Sequence, residues 1–148
     1  MRTRTVVAIS VLLLAAMVFV VAQSPDANEA NAVSTLKSIN AAQNTFMRTY
    51  SDVGYACNLE SLGPDAKGGA ASAKSANLLD KGLTSGKEYN GYVFKMECKQ
   101  KTKPQSEYRV SAVPGKNSGG HVYCTDESRI VRFSTDAKSC FANGALAK

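Results

Sequence analysis

The chain has 148 residues, a length that suits one domain with a short N-terminal extension. Hydrophobic residues make up 44% of it, which excludes an intrinsically disordered protein, and 18 basic against 12 acidic side chains leave a formal charge of +6. This mild excess of basic residues does not by itself indicate nucleic-acid binding.

The N-terminal segment predicts export from the cytoplasm. Arg2 and Arg4 precede an uncharged apolar run over residues 6–22, which is the pattern of a signal peptide. Two fates stay open for residues 1–22. Cleavage after Ala22 would release a soluble chain with a formal charge of +4 instead of +6, since both arginines are lost. Retention would leave a membrane anchor with its basic end in the cytoplasm. The short run, followed at once by a polar linker over 23–27, favours cleavage.

The four cysteines, Cys57, Cys98, Cys124 and Cys140, all follow this segment. An even count in an exported chain predicts two disulfides. Zinc binding is the alternative, but zinc sites usually contain closely spaced pairs of ligands, and the nearest two cysteines here are 16 positions apart. Sequence spacing alone allows three pairings of the four cysteines.

A folded domain over residues 28–148 is predicted to begin with a long amphipathic helix. Apolar side chains recur at steps of three and four from Ala32 to Tyr50, and Gly54 can take the positive φ that often follows a helix. Pro25 separates this helix from the export segment. The opposite, polar side of the helix holds most of the residues Glu29, Lys37, Asn40, Asn44 and Arg48.

The second half of the chain predicts antiparallel strands. An exposed loop over 65–76 and a short helix over 77–83 come first. Alternating apolar residues then predict strands over 92–98, 108–112, 122–124 and 129–133, joined by polar turns. A long helix laid on a three- to four-stranded antiparallel sheet is an α+β domain.

Several motifs follow this order of elements. Residues 28–43 read NEANAVSTLKSINAAQ, and residues 123–132 read YCTDESRIVR. The first resembles the second half of the spine helix of type IV pilins and type II secretion major pseudopilins, and the second resembles their last strands. The similarity covers residues 28–133. The apolar run has no glycine and no acidic residue, unlike a prepilin peptidase signal. The resemblance therefore implies a pilin-like head behind an ordinary export signal.

The pilin-like layout also suggests which cysteines pair. Cys57 follows the helix and Cys98 ends the first strand, whereas Cys124 lies in the third strand and Cys140 lies in the tail. We therefore predict the disulfides Cys57–Cys98 and Cys124–Cys140. The second would close a short loop and hold a C-terminus that has few apolar residues of its own.

Major pseudopilins often carry calcium near their strands, and the acidic residues available there are Asp126, Glu127 and Asp136. Calcium needs several oxygen ligands that converge on one point, whereas two adjacent carboxylates in a hairpin usually form a solvated turn. We therefore expect no cofactor and keep these three residues as weak calcium candidates.

No catalytic constellation is present in the sequence. His121 is the only histidine, it follows two glycines at the start of a strand, and it is predicted to be a surface or strand-edge residue. A Ser–His–Asp set stays open as an alternative, although the sequence has no G-x-S-x-G motif. No phosphate-binding loop, dinucleotide fingerprint or H-E-x-x-H motif occurs. The chain is therefore expected not to be an enzyme.

A set of basic residues lies on and between the first two predicted strands: Lys95, Lys99, Lys101, Lys103 and Arg109. Beside Tyr92 and Tyr108 they could contact an anionic polymer through phosphate binding and stacking. The alternative, which we favour, is a solvated lysine face that protects a strand edge, with both tyrosines in the core.

The resemblance implies a non-catalytic structural or interaction protein, a component of an envelope filament or a secretion system. Its expected location is periplasmic or extracellular, with inner-membrane anchoring through residues 6–22 if the signal is retained. Its expected partners are other envelope or pilin-like proteins. The alternative is a soluble pilin-like module that binds an anionic polymer such as DNA.

Overall fold

The structure is a computed structural model that describes residues 25–116, 118 and 120–148. The predicted export signal or anchor over 1–22, with its apolar run 6–22, lies outside these residues. Among the described residues, no helix combines the length and the apolar character that crossing a bilayer requires.

The domain has three α-helices, a single turn of 3₁₀ helix at Glu60–Leu62 and one antiparallel sheet among the described residues. The helices are α1 (Pro25–Thr49), α2 (Lys81–Thr84) and α3 (Ala137–Asn143). The strands are β1 (Glu88–Tyr89), β2 (Tyr92–Glu97), β3 (Arg109–Pro114), β4 (Val122–Asp126), β5 (Arg132–Ser134) and β6 (Ala145–Leu146). They follow one another across the sheet in chain order, as a meander.

The predicted α+β class is confirmed, but the sheet has six strands instead of three or four. The additional strands β1 and β6 are each two residues long and form the two edges of the sheet. A strand of two residues cannot show the alternation of apolar and polar side chains by which strands are recognised in a sequence. Each of these short strands forms because the longer strand beside it provides backbone hydrogen-bond partners.

The helix α1 begins earlier than predicted. Its described part starts at Pro25, so residues 25–27 belong to the helix and not to a linker. Proline suits the first turn of a helix because the N–H that it lacks would have no partner there, and Asp26 in the same turn interacts favourably with the helix dipole.

The main core lies between α1 and one face of the sheet, which we call the inner face. Leu36, Ile39 and Phe46 on α1 are fully buried, as the helical pattern predicts. The inner face contributes the alternating residues of β2, β3 and β4, which include Tyr92, Phe94, Val110, Ala112 and Tyr123. The confirmed burial of Tyr92 and Tyr108 places both rings in this core.

A second, smaller layer covers the opposite face of the sheet, which we call the outer face. The helix α3 packs there against β4 and β5, so β4 is buried on both sides. The sequence does not predict α3, since a seven-residue helix with few apolar residues has no clear periodicity. Its start is marked by Asp136, whose carboxylate accepts a hydrogen bond from the Ser139 N–H at 2.9 Å.

Two disulfides connect these layers and loops. Cys124 on β4 is bonded to Cys140 on α3, and Cys57 after α1 is bonded to Cys98 after β2. This is the pairing expected from the pilin-like layout. The first bond joins α3 to the sheet, and the second joins the loop that follows α1 to the end of β2.

Asn40 does not face solvent, and this prediction was wrong. The side chain is 5% exposed and lies between α1 and the sheet. Its Nδ2 donates to Thr125 Oγ1 at 3.0 Å and to the Arg129 carbonyl at 3.2 Å, and its Oδ1 accepts from the Tyr108 hydroxyl at 2.9 Å. Since these partners are the residue just before β3, a residue of β4 and the turn after β4, Asn40 fixes the position of α1 along the sheet.

Replacing Asn40 by alanine should destabilise the domain, because buried hydroxyl and carbonyl groups would lose their partner. We expect the free energy of unfolding to fall by about 1–3 kcal/mol or more, measured by urea denaturation. The matched control is Asn44→Ala, one helical turn further on and only half-buried. It should change stability by less than about 0.5 kcal/mol. Equal losses in the two variants would contradict the role given to Asn40.

Candidate functional site

A cavity of about 590 Å³ lies at the C-terminal end of α1, and we call it the helix-end cavity. Its walls come from the last turns of α1, the loop that follows, and the loop between β2 and β3. The lining residues are Phe46, Asp52, Val53, Tyr55, Ala56, Cys57, Ser61, Ala73, Lys101, Thr102, Lys103 and Gln105. The volume is that of a typical pocket for a small ligand.

The wall formed by the loop after α1 is held to the helix by a buried glutamine. Gln43 is 0% exposed and occupies a position on the apolar stripe of the helix. Its Nε2 donates to the Ala56 carbonyl at 2.8 Å, and its Oε1 accepts from the Ala56 N–H at 2.9 Å. Both backbone polar groups of one loop residue are therefore bound by one side chain. This satisfies groups that would be costly to bury unpaired.

Backbone hydrogen bonds join the loop after α1 to the next wall, the loop between β2 and β3. Gln105 donates its backbone N–H to the Val53 carbonyl at 2.8 Å, and its carbonyl accepts from the Tyr55 N–H at 2.9 Å. Gly54 lies between these bonds with a φ of 81°, and a Cβ built there would be 2.2 Å from the Gln105 carbonyl oxygen. Only glycine allows the two backbones to approach so closely.

A disulfide also joins the cavity wall to the sheet, since Cys57 in the wall is bonded to Cys98 just after β2. Lys101 and Lys103 follow in the same loop, are exposed, and lie at the cavity. The acidic residue of the lining is Asp52. The cavity therefore combines an apolar interior with a positively charged rim.

The structure separates the basic residues that the sequence grouped together. Lys101 and Lys103 lie at the helix-end cavity, and Lys99 is exposed in the loop that leads to them. Lys95 and Arg109 instead face the outer side of the sheet, in a cleft of about 250 Å³. Because Tyr92 and Tyr108 are buried, as favoured from the sequence, they offer no stacking surface to either group.

The outer cleft contains two residues that the sequence did not indicate, Lys138 and Phe141 on α3. The Arg109 guanidinium lies 4.8 Å from the centre of the Phe141 ring, which is a favourable cation–π distance. The polar signal at Asp136 and Ser139 could have indicated this helix. It could not have shown which face of the sheet the helix covers.

His121 is exposed, as expected, and interacts with the first turns of α1. Glu29 accepts hydrogen bonds from the His121 backbone N–H at 2.9 Å and from the Tyr123 hydroxyl at 3.1 Å, and it lies 3.1 Å from His121 Nδ1. Burial raises the pKa of the Glu29 carboxyl, but the hydrogen bonds from His121 and Tyr123 outweigh this effect and leave the pKa below its usual value. Burial and the nearby Glu29 carboxylate raise the pKa of Tyr123 to about 12.

The weak calcium candidates have other roles in the structure. Asp126 accepts a hydrogen bond from the Ser128 N–H at 3.0 Å and lies 3.7 Å from the Arg132 guanidinium. Asp136 begins α3, where hydrogen bonds from Ser139 hold the pKa of its carboxyl below the usual value. Glu127 is exposed. In the part of the chain that the structure describes, no three histidine, cysteine or acidic side chains form a group suited to a metal ion.

A wider groove of about 700 Å³ runs beside the N-terminal half of α1 and the edge strand β6. Its apolar lining includes Val33, Phe133 and Leu146. Its charged residues are Asp26, Glu29, Lys37 and Lys148. One wall is α1, and the other is formed by Tyr123, Phe133 and residues 145–148. The helix-end cavity, with three walls joined by hydrogen bonds and a disulfide, is therefore the better candidate for ligand binding.

No protein-family model, curated protein or solved structure matches this chain. The fold and the site therefore define the structural class of the protein: it is a disulfide-bonded α+β domain with a preformed cavity at one end of its long helix.

Gly54→Ala should disrupt the wall of the helix-end cavity, because the new methyl group would overlap the Gln105 backbone. A second glycine, Gly68, also has a positive φ of 75°, but no atom lies within 4 Å of the place that a methyl group would take there. We expect Gly68→Ala to cost about 1–2 kcal/mol from backbone strain alone. Gly54→Ala should cost at least about 2 kcal/mol more, measured by urea denaturation. Similar losses would contradict the close approach at Gly54.

Stability should depend on the ionisation of Glu29. Because its pKa is lower in the folded state than in the unfolded state, its contribution is present above the unfolded value near 4.5 and is lost as the pH falls through the folded value. The free energy of unfolding should therefore differ most between the native chain and Glu29→Gln above pH 5, and the difference should shrink towards pH 3. A difference that stays constant or grows on acidification would contradict this assignment.

Proposed function

We propose that this chain is an exported, non-catalytic interaction protein with a pilin- or pseudopilin-like head. The observation that carries the proposal is the placement of α1. The described part of this helix, 25 residues long, follows the predicted export segment closely and docks on an antiparallel meander through one apolar face. That arrangement supports the pilin-like layout inferred from the motifs over 28–133.

Export is supported by the chemistry of the cysteines. All four cysteines of the chain lie within disulfide distance of a partner. Disulfides persist in oxidising compartments such as the periplasm or the exterior of the cell. Together with the N-terminal pattern, they favour a periplasmic or extracellular head, either released after Ala22 or held at the inner membrane by residues 6–22.

A binding role is supported better than catalysis by the groups around His121. Its neighbour Glu29 is engaged by the His121 backbone and by Tyr123, and the imidazole ring packs 4.9 Å from the ring of Phe133. These contacts serve to hold the start of β4 against α1. A histidine base needs a nucleophile within reach, and the cysteines are all bonded to each other. We therefore propose contacts with other envelope or pilin-like proteins as the role of the surface.

Export can be tested by expressing the full chain in a Gram-negative host and separating cytoplasm, membranes, periplasm and medium. We expect the protein in an envelope or medium fraction. Its cysteines should resist alkylation until a reductant breaks the disulfides. Mass spectrometry should show a chain beginning at Gln23 if the signal is cleaved, or an intact membrane-bound chain if it is retained. A chain found in the cytoplasm with free thiols would overturn the proposal.

The interaction role needs a second measurement. Electron microscopy and site-specific crosslinking of envelope fractions should reveal the chain within a filament or a secretion complex, and the His121→Ala variant should assemble normally apart from reduced stability. A hydrolytic activity of the purified chain that disappears in His121→Ala would contradict the non-catalytic role.

A further inference from the structure

The helix-end cavity has the composition of a site for a molecule that is apolar at one end and charged at the other. Its apolar lining includes Phe46, Val53, Tyr55 and Ala73. Val53 is 36% exposed, which is unusual for a large apolar residue in this domain and leaves its side chain available to a ligand. A cavity of about 590 Å³ would accommodate a small aromatic ring system or a medium-length alkyl chain.

The cavity is also preformed. Gln43 binds both polar groups of Ala56, Gln105 binds the backbone on either side of Gly54, and the Cys57–Cys98 disulfide joins one wall to the sheet. A ligand therefore does not need to order these loops when it binds. Because ordering mobile segments is a major cost of association, rigid walls favour binding even of a small molecule.

The charged residues at the cavity favour a ligand with a negative charge. Lys101 and Lys103 contribute two positive charges, and Asp52 contributes one negative charge. Neither lysine is within ion-pair distance of an acidic side chain, since the ion pairs among the described residues involve His121 and Arg132. Both ammonium groups are therefore available to an anion at the rim of an apolar cavity, where charge-assisted hydrogen bonds are stronger than in bulk water.

We propose that the helix-end cavity binds a small amphipathic anion, with an aromatic or alkyl body in the cavity and a carboxylate or sulfonate beside Lys101 and Lys103. The lysines that the sequence suggested as polymer contacts would thus serve a small ligand. This proposal is independent of the assembly role, because it concerns the purified domain alone. A failure of binding would leave export and assembly untouched, and the reverse also holds.

Binding can be measured with two probes on the oxidised domain. The fluorescent sulfonate 1-anilinonaphthalene-8-sulfonate should bind with saturable enhancement, and decanoate should displace it. Decanol, which has the same chain length without the charge, should compete at least about tenfold more weakly, as expected for the loss of charge-assisted hydrogen bonds. Equal competition by decanol would show that the lysines do not recognise the anion.

Substitutions at the cavity test whether the ligand binds there. The double variant Lys101→Ala/Lys103→Ala should weaken decanoate binding at least about tenfold. The matched control, Lys81→Ala/Lys87→Ala, removes the same charge from exposed positions outside the cavity and should stay within about twofold of the native chain. Ala73→Phe should reduce binding of both probes by filling the cavity. Equal weakening in the two double variants would show a general charge effect and overturn the proposal.

Nuclear magnetic resonance distinguishes the remaining outcomes. Titration with decanoate should shift amide signals of residues 52–57, 73 and 101–105. Shifts confined to the groove beside β6 would place the ligand elsewhere and contradict the proposal. A twelve-residue oligothymidylate serves as the polymer probe. If it binds through the lysines with strong salt dependence while decanoate does not bind, the alternative of an anionic polymer is correct and the cavity is not a small-molecule site.

Discussion

The rest of the structure depends on the burial of one face of α1 against the inner face of the sheet. Leu36, Ile39 and Phe46 supply apolar surface from the helix, and Tyr92 and Val110 are among the residues that meet it from the strands. This burial provides the main driving force for folding, since each fully buried large side chain contributes about 1.5–3 kcal/mol. It is non-directional, however, and would tolerate small shifts of the helix along the sheet.

Three polar side chains on α1 remove that freedom. Near the start of the helix, Glu29 accepts hydrogen bonds from His121 and Tyr123 at the beginning of β4. Further along, Asn40 binds Tyr108 just before β3 and Thr125 on β4, and one turn later Gln43 binds the loop after α1. Hydrogen bonds have strict distance and angle requirements, so these three points define one register of helix on sheet. The Gln43 contact also positions Ala56 in the wall of the helix-end cavity.

The two ends of α1 consequently differ in character. The N-terminal end follows the predicted export segment and lies beside a groove with charges of both signs, among them Glu29 and Lys37. The C-terminal end, about 36 Å away along a helix of this length, carries the helix-end cavity and its lysines. If the chain is held at a membrane by its first residues, the cavity lies at the far end of the helix, where a ligand or partner can reach it. In that case α1 would separate the point of attachment from the proposed binding site.

The sequence by itself determined the elements whose signals are local. The apolar period of α1, the alternation in β2 and β3, and the even cysteine count are all properties of short segments, and they predict an α+β domain with two disulfides. Tertiary structure decided the rest, since it depends on residues far apart in sequence. Asn40 looks like a solvent-facing residue until Tyr108 and Thr125 are brought against it. Lys101 and Lys103 are exposed in the structure too, but only the fold shows that the loop after α1 forms an apolar cavity beside them. Periodicity records which side of a segment is apolar and not which other segments it meets.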